Sequence, residues 1–259
     1  IYLEHNGNTQ FLTVDGAEDN AYGAVGTCWG NPITPPDEPQ IIWSPDSTNI
    51  FCVQRDKRKV KPVPVVEHVP SDGTIRPKLT SFNISYPGDE HVEMLSLLSI
   101  DVGTGRIQRA EYDPIPVTRN SQGFFAAGLG WWSKDSRSCY FVHMHRDYKQ
   151  VSVVEFDVAT GECRVVFSEQ SQTQINLASN ADQMPLLQPI PEADQLIWYS
   201  ERSGWGHLYL YDLKSGDLVN EITRGGWLVK NVIHFDCSSR QLFIQTSNRA
   251  TDKDPYLHD

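Results

Sequence analysis

Long apolar runs are missing from this sequence, and no stretch approaches the ~18 uncharged residues that a membrane helix needs. The N-terminus also lacks the basic region and apolar region of a secretory signal. Positive charge is scarce, since 22 Lys and Arg stand against 33 Asp and Glu and leave a net charge of −11. Because such a chain repels nucleic-acid phosphates, we expect no nucleic-acid partner, and we expect no membrane span in these residues.

One short basic run departs from this balance, Arg55 to Lys61, which reads RDKRKVK. A run of this length in an acidic chain is typical of a solvated loop or a strand edge, and the alternative is a site for an anionic partner. We expect the solvated loop or edge.

Cysteines are few, and their spacing is uninformative. There are five, an odd number, and none forms a C-x-x-C pair, so the sequence indicates neither a zinc site nor a disulfide framework. We expect Cys52, Cys139 and Cys163, which fall in predicted strands, to pack as small hydrophobic side chains.

The motifs of common enzyme classes are missing as well. No G-x-S-x-G nucleophile elbow, P-loop or H-E-x-x-H helix occurs. Gly128 and Gly130 begin a G-x-G, but a Trp-rich strand follows it where a dinucleotide site requires a helix. The sequence therefore assigns no catalytic residue and no cofactor to this chain.

His143 and His145 lie two residues apart, and therefore on one face of a predicted strand. β-Proteins use this spacing for metal ligands, but no third ligand is evident. We interpret the two as strand-end residues beside an aromatic surface and predict no metal site. A propeller glycosidase or lactonase with a central metal is a third hypothesis for the whole chain, and only this pair supports it.

What the sequence does contain is a repeated turn of the form D-x-x-[TS]-G. It occurs at Asp101 to Gly105, Asp157 to Gly161 and Asp212 to Gly216, and its aspartates stand 56 and 55 residues apart. A period of this size is typical of propellers and solenoids. In each turn the Asp can bind its own backbone and the Gly supplies a positive φ, which predicts a β-hairpin.

A second repeated element, W-S-x-D-S, precedes an apolar strand at Trp43 to Ser47 and at Trp132 to Ser136. Degenerate versions occur at Pro191 to Asp194 and Phe235 to Ser239. Each unit then has four antiparallel strands, which is a propeller blade. We predict an all-β fold, a β-propeller of about four to five four-stranded blades, with residues 1–259 forming a single partial domain cut at both ends.

Two segments depart from the repeat. Gly7 and Gly105 are 98 residues apart, nearly twice the later spacing, and the surplus predicts an insertion in one blade at about residues 56–86. The segment Gln170 to Met184 is polar and without period, so we expect an exposed loop between blades. Such loops line one face of a propeller, where function tends to lie.

The segment Ser200 to Asp212, SERSGWGHLYLYD, resembles the SER-x-GW-x-HLYLYD signature of dipeptidyl peptidase IV-like propellers. The likeness covers nearly the whole chain, and the supporting residues are Trp43 to Ser47, Arg55-Asp56, Arg76-Pro77 and Tyr86 to Asp89. It implies the N-terminal, eight-bladed β-propeller of a prolyl oligopeptidase-type serine exopeptidase. It also implies an α/β-hydrolase domain, absent from this chain, that the propeller caps, and a periplasmic or secreted parent protein, although a cytoplasmic one fits as well.

The resemblance fails at one position. In the family a Glu-Glu pair between a Tyr-rich turn and the WSPD strand binds the free amino terminus of the substrate. Here Asn31, Pro32 and Ile33 stand about where these acids belong. Asp37 and Glu38 are the candidate substrate-binding residues, provided that the Pro-rich loop folds inward.

We therefore expect a non-catalytic propeller that gates and positions peptide substrate for a hydrolase domain. Open blade faces at both ends of the chain also make a homo-oligomer possible. The alternative is a stand-alone propeller that binds a protein or carbohydrate.

Overall fold

The chain folds into antiparallel sheets in a computed structural model that describes residues 1–5, 7–24, 39–118, 124–177 and 185–247. Three sheets have four strand positions, and we call them blades 1, 2 and 3. A two-stranded hairpin precedes blade 1 and another follows blade 3. Within the described ranges no α-helix occurs, and one 3-10 turn spans Pro191–Ala193. These sheets agree with the predicted all-β fold of four to five blades.

The strands follow in chain order. The first hairpin is β1 (Tyr2–His5) and β2 (Asn8–Phe11). Blade 1 is β3 (Asn20–Tyr22), β4 (Ile41–Trp43), β5 (Asn49–Asp56), β8 (Met94–Asp101), β9 (Ile107–Arg109) and β10 (Ile115–Pro116). Between β5 and β8 the chain forms a separate two-stranded ribbon, β6 (Pro62–Glu67) and β7 (Lys78–Asn83). Blade 2 is β11 (Gly130–Trp132), β12 (Ser138–Met144), β13 (Gln150–Asp157) and β14 (Cys163–Gln170). Blade 3 is β15 (Leu187–Ile190), β16 (Gln195–Ser200), β17 (His207–Asp212) and β18 (Leu218–Glu221), and the last hairpin is β19 (Leu228–Asp236) and β20 (Gln241–Ser247).

The three D-x-x-[TS]-G turns are hairpin turns, as predicted. In each, the Gly amide donates to the Asp carbonyl, at 2.8 Å for Gly105 and 2.9 Å for Gly161 and Gly216. The three glycines have φ of 73°, 93° and 81°, a region that side chains rarely adopt. Backbone amides that donate to the carboxylates lower the pKa of Asp101 and Asp212.

The W-S-x-D-S turns close in the same way in blades 1 and 2. Ser44 Oγ donates to Asp46 Oδ1 at 2.6 Å, and Ser133 Oγ donates to Asp135 Oδ1 at 2.8 Å. Ser136 also joins the two blades, since its Oγ accepts from the Asp46 amide at 3.2 Å. The predicted turn is therefore also a contact between blades.

Blade 1 differs from the repeat in its outer strands, which the sequence did not predict. β4 and β3 pair with successive parts of β5, and β9 and β10 pair with successive parts of β8. The break between β3 and β4 and the break between β9 and β10 both fall beside the paired residues Val53 and Leu97. There Gly23 N donates to Val53 O at 2.8 Å, and Ala110 N donates to Leu97 O at 3.0 Å. The chain leaves the sheet on both sides at this level.

Aromatic side chains fill the joints between blades. Between blades 1 and 2, the Phe51 ring meets Trp132 edge to face with centroids 6.2 Å apart. Between blades 2 and 3, Phe167 stacks on Tyr211 at 3.9 Å and meets Trp198 edge to face at 5.4 Å. Such pairs add to the burial that holds neighbouring sheets together.

Two sequence-based expectations need correction. The segment 170–184 is not wholly an exposed loop, because Gln170 belongs to β14 and both Ile175 and Leu177 are buried in the core; residues 178–184 lie outside the described ranges. The basic run is not wholly solvated either. Arg55 lies on β5 and is buried, and it forms an ion pair with Glu93, which is buried beside it.

The cysteines pack as expected. Cys52 and Cys139 are buried in strands, and Cys163 is half-buried at the start of β14. Burial raises the pKa of the Cys52 thiol to about 12, so this thiol stays protonated. In the described ranges no helix is long and apolar enough to cross a membrane.

Candidate functional site

The two ends of the blades differ. Neighbouring strands are antiparallel, so the two repeated turns of every blade lie at one end, which we call the short-turn end. The other end holds the connections between blades and between the two middle strands, and we call it the long-connection end; its described parts include the β6–β7 ribbon and the turns 145–149 and 201–206. Irregular segments on a rigid sheet are where binding residues concentrate, which makes the long-connection end the candidate site.

Glu169, near the end of β14, binds three side chains of blade 3 at this end. Its Oε1 accepts from Ser200 Oγ at 2.6 Å, and its Oε2 accepts from Trp198 Nε1 at 3.0 Å and from Arg202 Nη2 at 2.7 Å. The Glu169 side chain is only 11% exposed. A carboxylate with this many donors in a dry environment is a strong and geometrically specific contact. We call these residues, with Tyr211, the Glu169 cluster.

Arg202 completes the cluster. Its Nη1 donates to Tyr211 OH at 2.7 Å and its Nε donates to Ser200 Oγ at 2.9 Å, while its guanidinium lies 4.5 Å from the centroid of the Tyr209 ring. Burial acts to lower the pKa of Arg202, but the hydrogen bond to Tyr211 and the charge of Glu169 outweigh it and raise that pKa. Arg202 therefore stays charged.

The rest of the SERSGWGHLYLYD segment binds the following hairpin. His207 is buried, and its two ring nitrogens lie 3.0 Å from Thr223 Oγ1 and 2.9 Å from Gly225 O. Gly206 O accepts from Val229 N of β19 at 2.8 Å. Together with the Glu169 cluster, these bonds make the segment a junction between blade 2, blade 3 and the last hairpin.

Blade 1 contributes a buried ion pair to the same end. Arg55 Nη1 lies 2.7 Å from Glu93 Oε1, and Arg55 Nε donates to Ala24 O at 3.3 Å. Nearby, Arg109 donates to Gln54 Oε1 at 2.7 Å and to Tyr22 OH at 2.9 Å. These bonds hold β3 and the ends of β5 and β8 in place, where the chain leaves the sheet.

The predicted histidine pair lies beside an aromatic surface, as expected. His143 and His145 stack with centroids 4.3 Å apart and planes 12° apart, and Tyr112 OH lies 3.0 Å from His143 Nδ1. Nitrogen lone pairs lie in the ring plane, so two nearly parallel rings do not converge on one metal ion. In the part of the chain that the structure describes, no three His, Cys, Asp or Glu side chains are grouped as metal ligands. Burial, and then the charge of His145, lower the pKa of His143 to about 4.

The candidate substrate-binding residues Asp37 and Glu38, and also Asn31 to Ile33, lie outside the described residues. Two further acidic pairs occur in the sequence, Glu18-Asp19 and Asp89-Glu90. Asp19 Oδ1 lies 3.5 Å from Lys57 Nζ, and Asp89 Oδ2 accepts from Tyr86 N, so one member of each pair has a structural partner. Sequence reasoning missed Glu169. It lies on β14, outside the two repeated turns, and only the fold brings it to Arg202.

The described residues contain no hydrogen bond between a serine hydroxyl and a histidine ring. The hydrogen bonds of their histidine rings join His143 to Tyr112, and His207 to Thr223 and to the carbonyl of Gly225. Acyl transfer needs a nucleophile within hydrogen-bond reach of its base. What this arrangement can do is hold connections in place and present them to a ligand or another domain.

The chain is similar in sequence to known dipeptidyl peptidases. The family model described as the dipeptidyl peptidase IV (DPP IV) N-terminal region matches residues 37–256. A probable dipeptidyl peptidase 4 of Aspergillus flavus is 24% identical over 263 residues, which cover 99% of this chain and 33% of that protein. Dipeptidyl peptidase 4 of Arthroderma otae is 23% identical over 262 residues, covering 99% and 32%. The chain thus spans about a third of the length of these relatives.

Solved structures agree in fold. The dipeptidyl peptidase 4 of Porphyromonas gingivalis superposes with a TM-score of 0.68 at 16% identity, over 94% of this chain and 32% of that one. A putative dipeptidyl aminopeptidase IV of Bacteroides ovatus superposes with a TM-score of 0.63 at 16% identity, over 95% of this chain and 34% of that one. The family match over residues 37–256 confirms the resemblance predicted from Ser200 to Asp212.

Proposed function

Because the chain belongs to the family of dipeptidyl peptidase IV N-terminal regions, we propose that it is the propeller of a dipeptidyl peptidase IV-like serine exopeptidase. In this role it admits and positions peptide substrate, and a hydrolase domain elsewhere in the parent protein cleaves the peptide. The match over residues 37–256, in a chain that spans a third of its relatives, is the observation that carries the proposal.

The geometry supports a positioning role at the long-connection end. Three polar clusters lie there, around Arg55 of blade 1 and around His143 and Glu169 of blade 2. Each joins a strand end to an irregular segment, so each fixes a connection on a rigid sheet. Groups that orient a substrate need such support from their surroundings. We place the substrate and the hydrolase domain at this end.

The amino terminus of the substrate is bound differently from the family pattern in this proposal. Asp37 and Glu38 are the carboxylates that bind the substrate's amino terminus in this proposal, since the acids expected at 31–33 are replaced. A desolvated ammonium group needs an anionic partner, and a pair of carboxylates at the right position supplies it. With the pair displaced along the loop, selection for a free amino terminus is weak.

Kinetics of the full-length protein test the proposal. It is expected to hydrolyse chromogenic Xaa-Pro substrates and to lose this activity after treatment with a serine-directed inhibitor. A full-length protein that hydrolyses none of them, but retains a protein or glycan on a binding array, would instead be a stand-alone binding propeller.

A further inference from the structure

The segment that follows Glu169 is held on two sides at the long-connection end. Ser171 N donates to Lys149 O at 2.9 Å and Ile175 N donates to Tyr148 O at 2.6 Å, both in or next to the 145–149 turn of blade 2. Glu169 itself binds the blade 3 residues at and before the 201–206 turn. The stretch 169–175 therefore connects two neighbouring turns that belong to different blades.

The link to blade 3 fixes an orientation as well as a distance. The planar guanidinium of Arg202 has three separate acceptors, Ser200 Oγ, Tyr211 OH and Glu169 Oε2. A planar guanidinium that donates to three separate acceptors can rotate little without losing one of these hydrogen bonds. The Tyr211 ring in turn stacks on Phe167, which lies two residues before Glu169 and so on the same face of β14. The 201–206 turn is therefore held in one pose relative to β14.

A second ion pair lies within blade 2, at the opposite end of the same strand. Arg164 Nη2 lies 2.6 Å from Glu155 Oε2 and donates to Leu213 O of blade 3 at 2.8 Å. Arg164 and Glu169 are five residues apart on β14, which is about 16 Å of strand. The two pairs resemble each other in chemistry, but the Arg164 pair lies at the short-turn end, and only the bond from Arg164 to Leu213 O reaches blade 3.

We infer that Glu169 and Arg202 are positioning residues, whose ion pair holds the 201–206 turn and residues 171–177 in the arrangement that aligns peptide substrate. The alignment of substrate rests on the proposed function, whereas the coupling of the two segments rests on the contacts alone. A remote change that loosens the segments holding a substrate weakens substrate binding and raises KM, while the reacting groups keep their geometry. Neither residue touches a reacting atom in this account.

The decisive variant is Glu169→Gln combined with Arg202→Met. Glu169→Gln alone leaves Arg202 without its anion in a partly dry site, which destabilises a fold by itself. The double variant removes both charges at similar volume, so that overall stability stays close to that of the parent chain. Glu155→Gln is the control, since it breaks an ion pair of the same strand, β14, at the short-turn end.

Amide hydrogen exchange of this chain tests the coupling. In the double variant we expect residues 171–177 and 201–206 to exchange about tenfold faster, while the melting temperature changes little. Glu155→Gln leaves exchange in both segments at the parent rate. Parent-like exchange of both segments in the double variant would overturn the inference, whatever the activity of the full-length protein.

Kinetics of the full-length protein test the alignment. On Xaa-Pro substrates the double variant is expected to raise KM about tenfold with kcat within about twofold, because a binding contribution is lost and the reacting groups are untouched. Glu155→Gln has the parent KM. A double variant with the parent KM contradicts the alignment. If the unmodified full-length protein hydrolyses nothing, the proposed function is wrong, and the exchange experiment still decides the coupling.

Discussion

Gly216, in the third D-x-x-[TS]-G turn, lies directly against the backbone carbonyl of Val166 on β14, so that a Cβ built on Gly216 would overlap this oxygen. Gly161 has the same relationship to Arg109 O on β9 of blade 1. The turn of one blade thus packs on the outer strand of the blade before it. Gly105 differs, since nothing described lies within 4 Å of its Cβ position.

This difference predicts unequal effects of one substitution. Gly105→Ala should cost about 1 kcal/mol, the strain of a side chain at positive φ. Gly216→Ala carries the same strain and must also move the turn away from β14, so we expect a loss at least ~1 kcal/mol larger. Urea denaturation of both variants measures it, and equal losses would show that the Gly216 turn does not pack on β14.

The repeated turns show what sequence alone predicts well. Hairpins at Asp101, Asp157 and Asp212 follow from local chemistry, because the Asp caps its own turn and only Gly suits the positive φ. The contact of Gly216 with Val166 does not follow, since it depends on how one blade sits on the next. Its turn has the same D-x-x-[TS]-G pattern as that of Gly105, which lacks the contact.

The candidate site shows where sequence reasoning ends. Arg55 stands in a basic run and looks solvated, but the strand period turns it inward to Glu93, 38 positions later. Glu169 and Arg202 lie on different blades, and no local pattern indicates that they meet. Residues that act through long-range pairing are found from the fold, whereas residues that act through turn chemistry are found from the sequence.

Stability should fall in mild acid because of His143. Its pKa is about 4 in the folded chain, where burial disfavours the charged ring, against about 6.5 in the unfolded chain. Between about pH 6.5 and 4 the unfolded chain takes up a proton that the folded chain does not, so stability is lost as the pH falls. Because the ring is partly exposed, solvent weakens the effect, and we expect a loss of folding stability on the order of 1–2 kcal/mol.

Denaturation curves at pH 7 and pH 4.5 check this. His143→Asn, which keeps a polar partner for Tyr112, should lose less stability between the two pH values than the parent chain does. His234→Asn changes an exposed strand histidine and should behave as the parent. An His143→Asn variant with the parent pH dependence would contradict the assignment.

His207 should be a strong determinant of stability at the junction with the last hairpin. Replacing it with Phe keeps a ring against Trp227 but removes the bonds to Thr223 and Gly225, and the buried Thr223 hydroxyl then keeps only the amide of Leu208 as a partner. We expect a loss of ~1–3 kcal/mol, since a buried group that loses a hydrogen bond costs about 1–3 kcal/mol. Guanidinium denaturation measures the loss, and a value below 1 kcal/mol would speak against a structural role.

Substrate preference should depart from that of a strict dipeptidyl peptidase. With Asn31, Pro32 and Ile33 where the family has its acids, the full-length protein should prefer a free amino terminus only weakly over a blocked one. Comparing kcat/KM for free and N-acetylated Xaa-Pro substrates measures the preference. A strong preference that disappears in an Asp37→Asn, Glu38→Gln double variant would show instead that these two carboxylates bind the amine fully, and that the displaced pair does not weaken the selection.

The central claim is that these 259 residues position substrate and that the chemistry takes place in another domain of the parent protein. Its most direct test is to treat the 259-residue chain and the full-length protein side by side with a fluorophosphonate probe and with Xaa-Pro substrates. We expect stoichiometric labelling of a serine and turnover in the full-length protein, and neither in the chain alone. A labelled serine with turnover in the 259-residue chain, or a full-length protein without either, would contradict the account.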